Sequence, residues 1–151
     1  MDTNMENVRT PHFVIERDFP HEPKKVFECF VDAETAKKWL FTSTETKMEN
    51  RSFQFEPFEG GKWLANDPTV SGENEMGGEV KIFEPYHRIT LTRRMRALPD
   101  HIDLITILFE PLPSGCKVII THLRAPEFSH EGLLSQWALN FDRLDDCLSP
   151  S

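Results

Sequence analysis

The chain has 151 residues, about one domain at ~150 residues per domain, and its 38% hydrophobic and 28% charged residues give a globular balance. Seventeen lysines and arginines stand against 25 aspartates and glutamates, a formal net charge of −8. That charge repels a phosphate backbone and an anionic lipid surface, so no nucleic-acid partner and no membrane partner is expected.

The N-terminal segment is polar, with no apolar stretch of signal-peptide type. No uncharged apolar run approaches the ~18 residues of a membrane helix. Cys29, Cys116 and Cys147 form no C-x-x-C pattern and are odd in number, so reduced, buried thiols are expected and a cytoplasmic location with them.

Residues 1–11 are polar, end at Pro11 and read as a disordered lead-in to a single domain over 12–151. His12 to Phe19 alternates, with Phe13, Ile15 and Phe19 on one face and Arg17 the one charge among them. Pro20 and Pro23 break the strand, and Pro23 suits a first helical turn, where its missing N–H is not needed. Val26, Phe27, Phe30 and Val31 recur at helical spacing. Asp32 can cap a second short helix, Ala33 to Leu40, that buries Ala36, Trp39 and Leu40.

From residue 50 the pattern is that of strands. Phe53 and Phe55 alternate with polar residues, Gly60-Gly61 reads as a turn, and Lys62 to Ala65 reads as a strand. Asn66 to Gly78, with Pro68, Gly72, Gly77 and Gly78, reads as a loop. Glu79 to Phe83 is a strand, and so is Arg88 to Arg96, where Arg93 falls in the inward register with Ile89, Leu91 and Met95. Leu98-Pro99-Asp100 reads as a turn, His101 to Glu110 as a strand, Pro113-Ser114-Gly115 as a turn and Cys116 to Leu123 as the last strand. Leu133, Trp137, Phe141, Leu144 and Leu148 then mark a long amphipathic helix, with Ser129 as its cap and Gln136, Asn140, Arg143 and Asp146 facing mostly away. Asp145 and Asp146 oppose the helix dipole at its C-terminal end.

The order is strand, two short helices, about six strands and a long helix. This is an α+β arrangement in which one helix covers one face of a curved antiparallel sheet and can enclose a cavity with it.

Several pieces stand in this order: Pro23-x-x-Val26-Phe27, then Phe30-x-Asp32, Trp39 and Gly60-Gly61-Lys62-Trp63. Gly78-Glu79-Val80 follows with Pro85 and Arg88-Ile89, and Trp137 with Leu144 closes the set. Together they resemble the START-like (SRPBCC) superfamily and, within it, homologues of the Aha-type activator of the heat-shock protein 90 ATPase. Two positions depart from the family: the last strand opens on Gly115-Cys116 instead of Gly-Thr, and Gln136 replaces the glycine before the helix tryptophan. The resemblance implies a helix-grip fold, with about six to seven strands wrapped on the long C-terminal helix and two short helices after the first strand. It also implies a hydrophobic cavity, and it makes a chaperone a candidate partner.

No G-x-S-x-G, phosphate loop, dinucleotide fingerprint or H-E-x-x-H is present, and neither a metal nor a cofactor is expected. His122, in an apolar strand, could bind a polar ligand group or act as a base; as a structural residue it would be hydrogen-bonded at a strand end. Cys116 and His122 lie six residues apart on one strand, ~20 Å, which excludes a direct nucleophile–base pair. Arg17 and Arg93, in apolar registers, each require a partner: a ligand anion, or a structural carboxylate such as Glu79. Twelve phenylalanines and three tryptophans against one tyrosine indicate rings used for apolar bulk.

The expected ligand-binding cavity is lined by Trp39, Phe53, Phe55, Trp63, Leu91, Arg93, His122, Trp137 and Phe141, with Arg93 or His122 as polar anchor. The resulting reading is a binder of a small hydrophobic molecule. A protein-interaction module or chaperone co-activator is the alternative, and a cyclase- or hydrolase-like enzyme the third; a dimer is left open.

Overall fold

Alternating apolar residues need a partner face, and here the strands find it in one sheet under three helices. The computed structural model describes residues 12–41, 51–66, 75–96, 98–123 and 130–149. The expected lead-in over 1–11, most of the expected 66–78 loop and the Ser129 cap lie outside them.

The elements are β1 (His12–Phe19), α1 (Pro23–Val31), α2 (Ala33–Trp39), β2 (Ser52–Phe55), β3 (Lys62–Asn66), β4 (Glu75–Glu84), β5 (Arg88–Met95), β6 (Leu98–Leu112), β7 (Gly115–Leu123) and α3 (His130–Leu148). All seven strands form one antiparallel sheet in the order β1-β7-β6-β5-β4-β3-β2. Strands β2 to β7 make a meander, and β1 returns to pair with β7, so His12 lies opposite Leu123 and Phe19 opposite Cys116. The sheet is curved, and with α3 across its inner face the architecture is the helix grip expected from the sequence.

Pro23 opens α1, whose Val26, Phe27, Cys29 and Phe30 are buried. Asp32 caps α2 as expected: its Oδ2 accepts from the Thr35 backbone N–H at 3.1 Å and from the Thr35 hydroxyl at 2.6 Å. Trp39 at the end of α2 donates its Nε1–H to the Cys29 carbonyl at 3.0 Å, tying the two short helices together.

Two local expectations fail for identifiable reasons. Gly77 and Gly78 read as loop residues but lie inside β4. They are glycines because of close backbone approach: a Cβ on Gly78 would sit 2.0 Å from the Thr92 carbonyl oxygen, and one on Gly77 would sit 2.6 Å from the Trp63 carbonyl oxygen. Leu98-Pro99-Asp100 read as a turn but begins β6, because the pairing shifts register between Arg94 and Met95 and Met95 pairs with Leu98.

The Gly78 approach also positions Trp63. Its Nε1–H donates to the Thr92 carbonyl at 2.8 Å, and the Glu79 N–H donates to Thr92 Oγ1 at 2.9 Å. Side chains thus take up backbone groups at this point of the β4–β5 pair.

Candidate functional site

The inner face of the sheet is read from the pairings. Phe13, His122, Ile105, Leu91 and Val80 follow one another across five strands in one row. In the next row Arg93 on β5 faces Asp103 on β6. Asp103 and Ile105 lie two residues apart, so Asp103 is the diagonal neighbour of His122.

Four polar side chains meet there. Arg93 Nε donates to Asp103 Oδ1 at 3.0 Å and Arg93 Nη2 to Asp103 Oδ2 at 2.6 Å, a bidentate pair with its side chains 2% and 1% exposed. His122 Nδ1 faces Asp103 Oδ2 at 3.6 Å. On the other side of that ring, Trp137 Nε1–H donates to His122 Nε2 at 2.8 Å. A chain Arg93–Asp103–His122–Trp137 therefore crosses from β5 through β6 and β7 to α3, wholly inside the domain.

The chain fixes the imidazole. An indole N–H only donates, so Nε2 accepts, and the neutral ring carries its proton on Nδ1, toward the Asp103 carboxylate. The Nε2 lone pair is committed to Trp137, and general-base use would require breaking that bond. Phe13 stacks on the ring at 4.7 Å. Burial pushes the Asp103 carboxyl up, but the facing His122 and the Arg93 guanidinium outweigh it and hold the group below its ordinary value.

Aromatic rings continue from Trp137 around the interior. Trp137 meets Phe141 at 5.7 Å and Phe41 at 5.6 Å; Phe41 stacks on Trp63 at 5.1 Å. Trp63 meets Phe53 at 6.5 Å, and Phe53 stacks on Phe55 at 6.3 Å. Of the nine residues expected to line a cavity, eight are buried and Phe55 is half-buried. Phe53, Phe55, Trp63, Trp137, Phe141 and His122 come together through these ring contacts, Arg93 joins through Asp103, and Leu91 lies in the same inner row as His122. Trp39 stands apart, packed on Phe30 at 4.6 Å between the short helices.

Sequence reasoning missed four residues of this constellation. Asp103, not Glu79, is the partner of Arg93; Glu79 is on the outer face and pairs with Lys81 at 2.7 Å. Asp103 shares its inward parity with Ile105, Ile107 and Phe109, a signal present in the sequence. Phe41 follows α2 with φ of 56°, and its N–H is held at 3.1 Å by Asn140 Oδ1, a residue expected to face away but 1% exposed. Phe13, placed by alternation on one face of β1 and not in the site, stacks on the His122 ring. Arg17 is not part of the chain: its Nη1 meets Asp142 at 2.7 Å and Asp145 at 3.7 Å, and its guanidinium lies 5.4 Å from the Phe141 ring centre. This explains acidic residues at the C-terminal end of α3.

Glu131, Gly132, Leu134 and Ser135 in the first turns of α3 are exposed, and Trp137, the α3 end of the polar chain, is buried at 2%. Among the described residues no three His, Cys, Asp or Glu side chains are grouped to hold a metal, and no helix is long and apolar enough to cross a membrane.

A family model described as activator of Hsp90 ATPase homolog 1-like protein matches residues 20–149. A solved structure from Chromobacterium violaceum is similar at 22% identity, covering 93% of this chain and 99% of that one, with a TM-score of 0.77. A putative uncharacterized protein from Rhizobium leguminosarum matches at 21% identity, 93% and 95% coverage and a TM-score of 0.76. A Staphylococcus aureus protein of unknown function matches at 20% identity, 94% and 96% coverage and a TM-score of 0.74. At these identities the likeness is one of fold. No curated protein matches the sequence.

Proposed function

The chain belongs to the activator of Hsp90 ATPase homolog 1-like family, and from that premise we propose that it binds a small, mainly apolar molecule between the sheet and α3. The observation that carries this reading is the Arg93–Asp103–His122–Trp137 chain, buried among aromatic rings between the two. A buried ion pair is a poor stability device, since apolar residues of similar volume serve as well or better. A few convergent polar groups in an aromatic wall are instead what orients a ligand in an apolar site.

Affinity would come from burial. A ligand covering roughly 200 Å² of apolar surface gains about 5 kcal/mol at ~25 cal/mol per Å², before the cost of ordering. Phe41, Trp63 and Trp137 would form the aromatic wall, and the polar chain would receive the ligand's one hydrophilic end.

The test is organic extraction of the purified protein followed by mass spectrometry, with titration by 1-anilinonaphthalene-8-sulfonate followed through tryptophan fluorescence. A stoichiometric amphipathic compound in the extract, and weaker probe binding by a folded Trp137→Ala variant, are expected. An empty extract together with probe binding unchanged in that variant refutes the proposal.

A further inference from the structure

A second concavity lies on the outer face of the sheet, opposite the buried chain. One outward row runs in register across four strands: Leu64 faces Gly77, Gly77 faces Arg94, and Arg94 faces Ile102. Glycine removes the side chain from the middle of the row, leaving a groove of about 570 Å³. Its two apolar sides stay exposed, Leu64 at 37% and Ile102 at 42%. Lys62 and Glu79, paired across β3 and β4, line it as well.

The charges in the groove are unequal. Glu79 is neutralised by Lys81 at 2.7 Å. Arg94 is exposed and forms no ion pair among the described residues. A protein with net charge −8 thus presents cations from Lys62 and Arg94 beside two exposed aliphatic side chains.

The span sets the size of the occupant. Leu64 and Ile102 stand on β3 and β6, three strand spacings apart, about 14 Å at ~4.8 Å each. A small anion would reach only one wall, whereas about four extended residues at ~3.3 Å each bridge both.

We infer that this groove docks an extended acidic segment of a partner protein, with an apolar side chain over Gly77 and carboxylates on Arg94 and Lys62. The docking side chains Leu64, Arg94 and Ile102 face the other side of the sheet from the inner site, and only Trp63 is shared between the groove's lining and the inner aromatic rings. The net charge of −8 opposes approach at long range, so docking relies on the short-range pairing with Arg94 and Lys62 and on the apolar contact.

The probe is the synthetic peptide acetyl-Glu-Asp-Leu-Leu-Asp-Glu-amide, with acetyl-Lys-Lys-Leu-Leu-Lys-Lys-amide as control, titrated into the isotope-labelled full chain and followed by amide chemical shifts. The acidic peptide should move the amides of Gly77, Gly78, Arg94 and Ile102. Binding should weaken about tenfold in Arg94→Glu and at high salt, and also in Leu64→Ser. Both substitutions are at exposed positions, and circular dichroism checks that the fold is kept. The inference is overturned if millimolar acidic peptide leaves these amides unmoved, or if Arg94→Glu binds as well as the parent. Equal binding of the lysine peptide overturns it too. So does movement of the same amides on simple dilution, which would give the face to a second copy.

Discussion

Replacing Asp103 with leucine strands the Arg93 guanidinium inside the domain. The structure sets the size of the effect. Two charge-assisted hydrogen bonds, at 2.6 and 3.0 Å, are lost between side chains no more than 2% exposed. At roughly 1.5–3 kcal/mol each they amount to about 3–6 kcal/mol, in line with the ~3–5 kcal/mol cost of breaking a buried pair from one side. For a chain of this length that corresponds to a fall in Tm of roughly 6–24 °C. Arg93→Met should cost a similar amount by leaving the carboxylate buried alone. The double variant Arg93→Met with Asp103→Leu removes both charges and should return to within about 1 kcal/mol of the parent. Urea unfolding followed by tryptophan fluorescence measures all four corners of this cycle. The parent's advantage over Asp103→Leu should also depend on pH. Asp103 is held below its ordinary value of 3.8, so its contribution is full above that pH and is lost as pH falls through the lower folded value. A single variant losing under about 1 kcal/mol, or a double variant losing the sum of the singles, would refute the coupling. If the chain is the polar anchor of a ligand, the double variant will be stable and still bind poorly.

Trp137→Phe keeps a ring but removes the N–H that reaches His122 Nε2 at 2.8 Å, and should cost about 1–3 kcal/mol in urea unfolding, the penalty of a buried acceptor left bare. Gly78→Ala drives a methyl group to 2.0 Å from the Thr92 carbonyl oxygen and displaces the Trp63 indole bonded there, so it should destabilise by about 3 kcal/mol or lead to insoluble protein; a soluble variant of parental Tm would refute the close-approach account. Cys29 and Cys116 have their thiols pushed up to about 11, chiefly by burial, and Cys147 is also raised by burial. All three should resist iodoacetamide at pH 8 in the native protein and react together in urea, as counted by mass spectrometry.

The backbone was legible in the sequence wherever one face of an element is dry. Strand β1 runs from His12 to Phe19 as alternation predicts, and the Asp32 cap sits where residue type places it. Legibility ended where the cause is a distant backbone: nothing local tells Gly77 and Gly78 in a strand from glycines in a turn, because the reasons are the carbonyl of Trp63, fourteen residues before Gly77, and that of Thr92, fourteen residues beyond Gly78. The register of Arg93 was legible, and the same rule reaches its partner. Parity alone places Asp103 inward on the neighbouring strand, and two opposite charges in inward registers of adjacent strands call for pairing. Asn140 misled because a polar residue on a helix is expected to face water, whereas here its amide oxygen holds the N–H of Phe41.

These misses share a feature that bears on function. Asp103, Asn140 and Phe41 help to hold the sheet, the end of α2 and α3 together around Trp137. Phe41 keeps a positive φ, an uncommon conformation for a bulky residue, and is fixed there by an amide from α3 while its ring lies between Trp63 and Trp137. A domain needing only stability would fill this place with aliphatic side chains, which cost no buried charge and no backbone strain. Backbone strain is not confined to this place, since Tyr86 also keeps a positive φ and packs edge-on against Phe27. The buried polar side chains are what set it apart: Arg93, Asp103, His122 and Asn140 lie around Trp137, while Phe19, Phe27, Phe30 and Phe109 belong to an apolar core. That asymmetry in polarity points to the surroundings of Trp137, between the sheet and α3, as the place of the chain's specialised chemistry.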